Sequence, residues 1–194
     1  MPRAGLSATA VLTAAADLAD REGLDAVTPS AVARSVGVRT PSLYAHVAGA
    51  RALLDGVTTL ALEELADRGS EALAGRSGRD ALVALADAYR LYASQHPGRY
   101  AASRRGTDAS ARSVAAGRRH GDLLAAVLRG YPVPEGEIVH ATRLVGAAVH
   151  GFVTLQASGA FDHSDPSADV SWDRVVDAVD VALRGWPGAR ATDH

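Results

Sequence analysis

No cysteine occurs among the 194 residues, which removes disulfide staples, thiolate metal sites and cysteine nucleophiles together and makes a reducing compartment, the cytoplasm, the expected location. Lysine is absent as well, so all 20 positive side chains are arginine. Such a skew suggests biased codon usage rather than guanidinium chemistry at every site. No stretch approaches the roughly 18 uninterrupted apolar residues of a membrane span, and MPRAGLSATAVLTAAADLAD meets acids before a signal-type core is complete. Neither export nor a membrane partner is therefore expected. The formal charge of −2 excludes the overall basicity of a histone-like binder, so a nucleic-acid contact has to be local. Alternating apolar and polar runs are nearly absent too, which leaves little room for strands.

What is present is helical: Ala, Leu and Arg recur through long segments punctuated by Gly and Pro, giving an all-α chain of about nine helices. The spacing predicts them at 8–22, 29–36, 41–47, 50–68, 77–95, 98–104, 108–130, 135–158 and 171–185, each end approximate. The stretch 159–170, with GAFDHSDPSAD, reads as a loop. Residues 1–48 form a candidate helix-turn-helix domain and 49–194 a larger helical domain for effector binding and dimerisation.

Within the first of these, Thr-Pro-Ser occurs twice, at 28–30 and 40–42. Each copy reads as a helix start, with threonine capping orphan amides and proline at the first helical position. Val27 and Val32 stand at the positions of a hydrophobic staple, and Gly37 suits the turn that closes the first short helix. Two short helices joined at Val36 to Arg39, with Val32, Val36, Val38, Leu43 and Val47 inward, make a helix-turn-helix. An ordinary helical hairpin fits the same pattern, and the outward side chains weigh against it. Arg39, Thr40, Ser42, Tyr44 and His46 can donate to phosphates and base edges, while Pro41 offers an apolar contact to a thymine methyl. No acid lies between Asp25 and Asp55.

The stretch GLDAVTPSAVARSVGVRTPSLYAHVAGARALLDGV resembles the N-terminal domain of the TetR family of transcriptional repressors, over roughly residues 8–58. The resemblance implies a homodimer on a palindromic DNA operator, with Thr28, Ser30, Thr40, Pro41, Ser42, Tyr44 and His46 at positions that usually meet DNA. It departs from the family at Val47, where Phe is common, and at Ala50, where a phosphate-gripping Lys is common. Arg51 is the nearest replacement.

Downstream of residue 60 there is no phosphate-cradling glycine loop, no HExxH and no nucleophile elbow, so no enzyme is expected. His96, His120 and His163 are isolated in sequence and read as surface or helix-end residues, so neither a metal nor another cofactor is expected. In the segment 135–158, Leu144, Val145, Ala148, Gly151, Phe152 and Leu155 form an apolar face, beside a stripe of His140, Arg143, His150, Thr154 and Ser158. AVHGFVTLQASGAF resembles the family's C-terminal ligand-domain type named for a Trp/His-Gly pattern, with His150 and Gly151 as the shared pair. His150 fits a ligand contact and a subunit contact equally well.

The last helix is amphipathic, and paired with its predecessor it could make a four-helix dimer interface from Phe152, Leu155, Val175, Val176, Val179 and Leu183. Burial of both helices within one subunit fits the periodicity as well. A small-molecule effector is expected among the middle helices, at Leu85, Tyr89, Tyr92, Tyr100, Leu123 and Leu124, with His140, Arg143 and His150 as polar partners. Arg118, Arg119 and His120 read as a solvated face. The competing class is a helical enzyme or binding module that keeps the helix-turn-helix as scaffold.

Overall fold

The computed structural model describes residues 6–105 and 111–187, and among these every regular element is helical. Nine α-helices follow in order: α1 Ala8–Glu22, α2 Pro29–Ser35, α3 Thr40–Leu43, α4 Ala50–Leu73, α5 Gly78–Gln95, α6 Pro97–Ser103, α7 Ala111–Leu128, α8 Ile138–Ala157 and α9 Ala168–Arg184. Single 3-10 turns cover Leu24–Ala26 and Glu135–Glu137. The expected start of the seventh helix at 108 lies outside the described residues. α9 begins at Ala168 rather than at 171.

The local signals explain most of these ends. Ser7 caps α1 by accepting the Ala10 amide at 3.1 Å. Thr28 caps α2 by accepting the Ala31 amide at 3.2 Å, with Pro29 at the first helical position. Val27 and Val32 close the staple and are both buried. At the far end of α2, Gly37 adopts φ 72°, and the amides of Gly37 and Val38 reach back to Arg34 and Ala33 at 3.2 and 2.9 Å. That paired closure fixes the turn before α3.

Two expectations are corrected. The second Thr-Pro-Ser does not repeat the first cap: Arg39 is the extended residue before α3, no side chain caps the helix, and Thr40 is already helical. The turn that closes α2 uses Gly37 and Val38, which leaves only Arg39 as a link. α4 also continues past 68 to Leu73, because Gly69 does not end it. A Cβ on Gly69 would stand 2.8 Å from Leu123 Cδ1 and 3.0 Å from Leu85 Cδ1, so the bare glycine there permits close packing.

The contacts divide the chain into two compact units, Met1–Leu65 with Tyr92–Gly117, and Ala66–Leu91 with Arg118–His194. A cut after residue 48 is therefore not where the contacts separate, since α4, α5 and α7 are each shared. In the first unit, Val11, Ala15, Leu18, Val32, Leu43, Leu53 and Val57 form a core to which α6 contributes Ala102. Val36 and Val38 are only partly buried against it. Gly98 of α6 approaches α1 so closely that a Cβ would fall 2.1 Å from the Ala19 carbonyl carbon.

In the second unit, α8 and α9 pack on one another. Trp172 is buried, its indole N–H donates to Asp87 Oδ1 at 2.7 Å, and its ring lies 5.1 Å from that of Phe152. Arg90 sits over both rings, at 5.2 Å from Trp172 and 5.7 Å from Phe152. It donates to Gln156 Oε1 at 2.9 Å and to Asp169 Oδ1 at 2.6 Å, tying α5 to α8 and α9. Tyr131 donates to the buried carboxylate of Asp180 at 2.7 Å. α8 is long and apolar enough to cross a membrane by length and composition alone, but Ala141, Val145, Val149 and Phe152 are buried inside the unit.

Candidate nucleic-acid interface

Leu43 fixes α3 to the core of the first unit and is fully buried, whereas the next residue, Tyr44, is 55% exposed. Regular α3 ends at Leu43, short of the expected 47, yet the Val47 amide still reaches the Leu43 carbonyl at 3.1 Å. The turn 44–46 thus continues the helical path and carries Tyr44 and His46 with it. Around this segment Arg39, Pro41 and Ser42 are exposed, and Thr40 and His46 are half-buried. Thr28 and Ser30 stand exposed at the start of α2, their hydroxyls 3.2 Å apart. Arg51 is exposed in the first turn of α4, beside Ala50.

All nine residues therefore reach the surface of one unit, within a segment that contains no carboxylate from 26 to 54. Guanidinium, hydroxyl, phenol and imidazole donors on a short helix of this width suit phosphates and major-groove base edges. Arg34 is an additional exposed cation at the end of α2, which the sequence reading passed over.

Behind α1 lies a polar cluster that the sequence did not reveal. Arg99 of α6, 8% exposed, pairs with Asp17, approaches Asp20 Oδ2 at 3.3 Å and Glu64 Oε2 at 3.7 Å, and donates its backbone amide to Asp20 Oδ1 at 2.8 Å. His96, which stands before α6 as its N-cap residue, contacts Asp20 Oδ2 at 3.0 Å. Tyr92 donates to Glu64 Oε2 at 2.7 Å, and burial, followed by that bond, raises its hydroxyl pKa well above the ordinary tyrosine value. The signal was unreadable locally because α1 and α6 are far apart in sequence.

The expected effector residues are divided between the two units. Leu85, Tyr89 and Leu124 are buried and Leu123 half-buried in the second unit, whereas Tyr92 and Tyr100 belong to the first. His140 and Arg143 are exposed on α8, on the side away from Ala141 and Val145, so the helix turns them from the buried interior of their unit. His150 is half-buried, with Nδ1 3.4 Å from Thr154 Oγ1. His120, expected on a solvated face, stacks on Tyr89 at 5.0 Å and meets its hydroxyl at 2.9 Å through Nδ1. Two cavities, of about 350 and 150 Å³, are lined by other residues. Among the described residues no group of three or more His, Asp or Glu could hold a metal.

Most of the residues expected at a dimer face lie inside the chain. Phe152, Val176, Val179 and Leu183 are buried within the chain and Val175 is half-buried, because α8 and α9 turn these sides toward the interior of their own unit. Only Leu155, 49% exposed, faces out. The other outward apolar residues of the two helices are Val139, Leu144, Val170 and Val181.

Residues 11–57 match the profile described as bacterial regulatory proteins, tetR family, and residues 82–179 match that of the tetracyclin repressor-like C-terminal domain. An uncharacterized HTH-type transcriptional regulator of Mycobacterium tuberculosis is 35% identical over 169 residues, covering 85% of this chain and 77% of that protein. Another, of Bacillus subtilis, is 30% identical over 164 residues, covering 84% and 86%. A TetR variant from Acinetobacter baumannii AYE, solved in complex with minocycline, shares the fold with a TM-score of 0.68 at 24% identity, covering 95% of this chain and 100% of that one. Two profiles that between them span the exposed α3 edge and the helices behind it, with relatives aligned over most of their length, place this chain in the TetR family of DNA-binding transcriptional regulators.

Proposed function

We propose that the protein is a homodimeric, ligand-responsive repressor that grips a palindromic operator through paired α3 segments. The observation that carries this reading is the acid-free edge in which Tyr44 projects into solvent directly after the buried anchor Leu43. Arg39, Arg51, Thr28 and Ser30 supply the phosphate contacts that set register, and Thr40, Pro41, Ser42, Tyr44 and His46 face the bases. A second copy places the matching edge one helical turn away, about 34 Å along the duplex.

The surface that pairs the copies is the outward side of α8 with the C-terminal half of α9. Leu144 and Leu155 on α8 and Val181 on α9 are exposed there, and a Cβ on Gly151, which at 100° per residue falls on the side of the two leucines and between them along the helix, would meet nothing within 4 Å. This glycine is not required by packing among the described residues, so it leaves room for close approach of a partner helix. The minocycline complex of the A. baumannii protein supports a small organic effector, and the group of Leu85, Tyr89, Leu123 and Leu124 beside His120 is where we place it. Such a ligand acts only through a different affinity for the DNA-competent and DNA-incompetent conformations.

Titration against DNA from upstream of the protein's own gene, at two salt concentrations and with competitor, tests the reading. The expected result is a competitor-resistant component with a steep salt slope. Binding that competitor DNA removes completely would overturn it.

A further inference from the structure

Between α5 and α9, inside the second unit, lies the cleft of about 350 Å³, which none of the roles above uses. Its floor is apolar, made by Val83, Trp172 and Val176, and Trp172 and Val176 are almost fully withdrawn from solvent. Two polar contacts brace its walls. Arg79 donates to Asp177 Oδ1 at 2.6 Å, and the Trp172 indole donates to Asp87 Oδ1 at 2.7 Å.

The charges that remain are unbalanced. Arg79 and Asp177 neutralise each other. The indole N–H engages only one oxygen of Asp87 and brings no positive charge, and Asp173 lines the same cleft, exposed and without an ion-pair partner among the described residues. Among the described residues of the lining, one guanidinium without an ion-pair partner, that of Arg174, stands against these two carboxylates. An apolar floor under an excess of carboxylate favours an amphipathic cation: the body gains from leaving water, and the charge is matched where the indole and valines lower the local dielectric. The volume falls within the range of small-molecule pockets.

We propose that this cleft is a binding site for a small organic monocation, whose hydrophobic body lies on Val83, Trp172 and Val176 and whose ammonium sits between Asp87 and Asp173. It is separate from the effector region named above. At 100° per residue, Val83 and Asp87 fall on nearly the opposite side of α5 from Leu85 and Tyr89, so the two sites use different sides of that helix.

Three probes with one body and different charge test it: phenylbutylamine, phenylbutyrate and phenylbutanol, added to the full-length ¹⁵N-labelled protein. The chain holds 2 tryptophans, so the indole N–H region carries two resonances, and Trp186→Phe identifies that of Trp172. The amine is expected to move the Trp172 resonance saturably and to leave that of Trp186 in place. The alcohol should bind about tenfold more weakly, and the acid should give no saturable change. Asp87→Asn keeps an oxygen to accept the indole N–H, and it should weaken amine binding several-fold at an unchanged melting temperature. Asp173→Asn, at an exposed residue, should do the same and serves alone if Asp87→Asn disturbs the indole. No saturable shift with the amine, equal midpoints for all three probes, or unchanged amine affinity in both variants would overturn the proposal. Because no readout involves DNA, failure of the repressor reading leaves this test intact.

Discussion

Single side chains on the α3 edge divide by what they would touch. Tyr44 is more than half exposed, so Tyr44→Ala should weaken specific DNA binding about fivefold to over a hundredfold, at about 1–3 kcal/mol for a lost base contact, while stability stays within about 0.5 kcal/mol. Arg51→Ala should instead lower affinity for every sequence alike and reduce the slope of log affinity against log salt by about 0.9, the signature of one lost phosphate contact. Fluorescence anisotropy at several salt concentrations separates the two, and a collapse of the fold in Tyr44→Ala would mean that the residue is structural.

Asp180 makes a different kind of case. Burial works to raise its pKa, but the Tyr131 hydroxyl and the Arg184 guanidinium, with help from Arg79, outweigh burial and hold it below the ordinary value. A carboxylate with a lowered folded pKa stabilises above the unfolded pKa of about 3.9, and that contribution is lost as pH falls through the folded value. Asp180→Asn should therefore cost about 1–3 kcal/mol at neutral pH, as expected for a disrupted buried hydrogen bond. The gap from the parent protein in urea unfolding should narrow below pH of about 4. A gap that stays constant into acid would remove the charge from the explanation.

Among the elements, α6 deserves most weight for its size. Its short run from Pro97 places a bare glycine against the backbone of α1 and a buried arginine against Asp17, Asp20 and Glu64. Close packing and charge pairing thus act on the same contact. Gly98→Ala introduces a methyl where only the α1 main chain could yield, an overpacking that costs about 1–3 kcal/mol. At about 2–4 °C per kcal/mol for a chain of this size, calorimetry should show a clear drop in melting temperature; an unchanged value would mean that α6 can slide along α1 without cost. α4 carries a related lesson. The spacing places the end of α4 near 68, yet the helix runs on to Leu73, and within it the bare Gly69 admits Leu85 and Leu123.

For the whole molecule, the proposed homodimer turns on which surface pairs two copies. α8 has apolar residues on both sides, and the fold consumes one of them: Val145, Val149 and Phe152 go inward, leaving Leu144 and Leu155 outside. Leu144→Arg combined with Leu155→Arg should give a monomer by light scattering with unchanged helicity, because two guanidiniums from each copy would meet across the contact. DNA affinity should fall with it, since the second half-site is no longer held by the same particle. A dimer that survives both substitutions would place the contact elsewhere.

The sequence by itself determined where most helices begin and end, the staple of Val27 and Val32, the turn at Gly37 and the identity of the exposed α3 edge. Those features depend on caps, backbone angles and spacings of three to four residues, all of which are local. Only the tertiary structure decided which apolar face of α8 and α9 is interior, that His120 stacks on Tyr89, and that Arg99 pairs with two aspartates of α1. Periodicity records that a face is covered but not by what. Pairings between distant segments arise only when the chain has packed, and no local pattern encodes the partner.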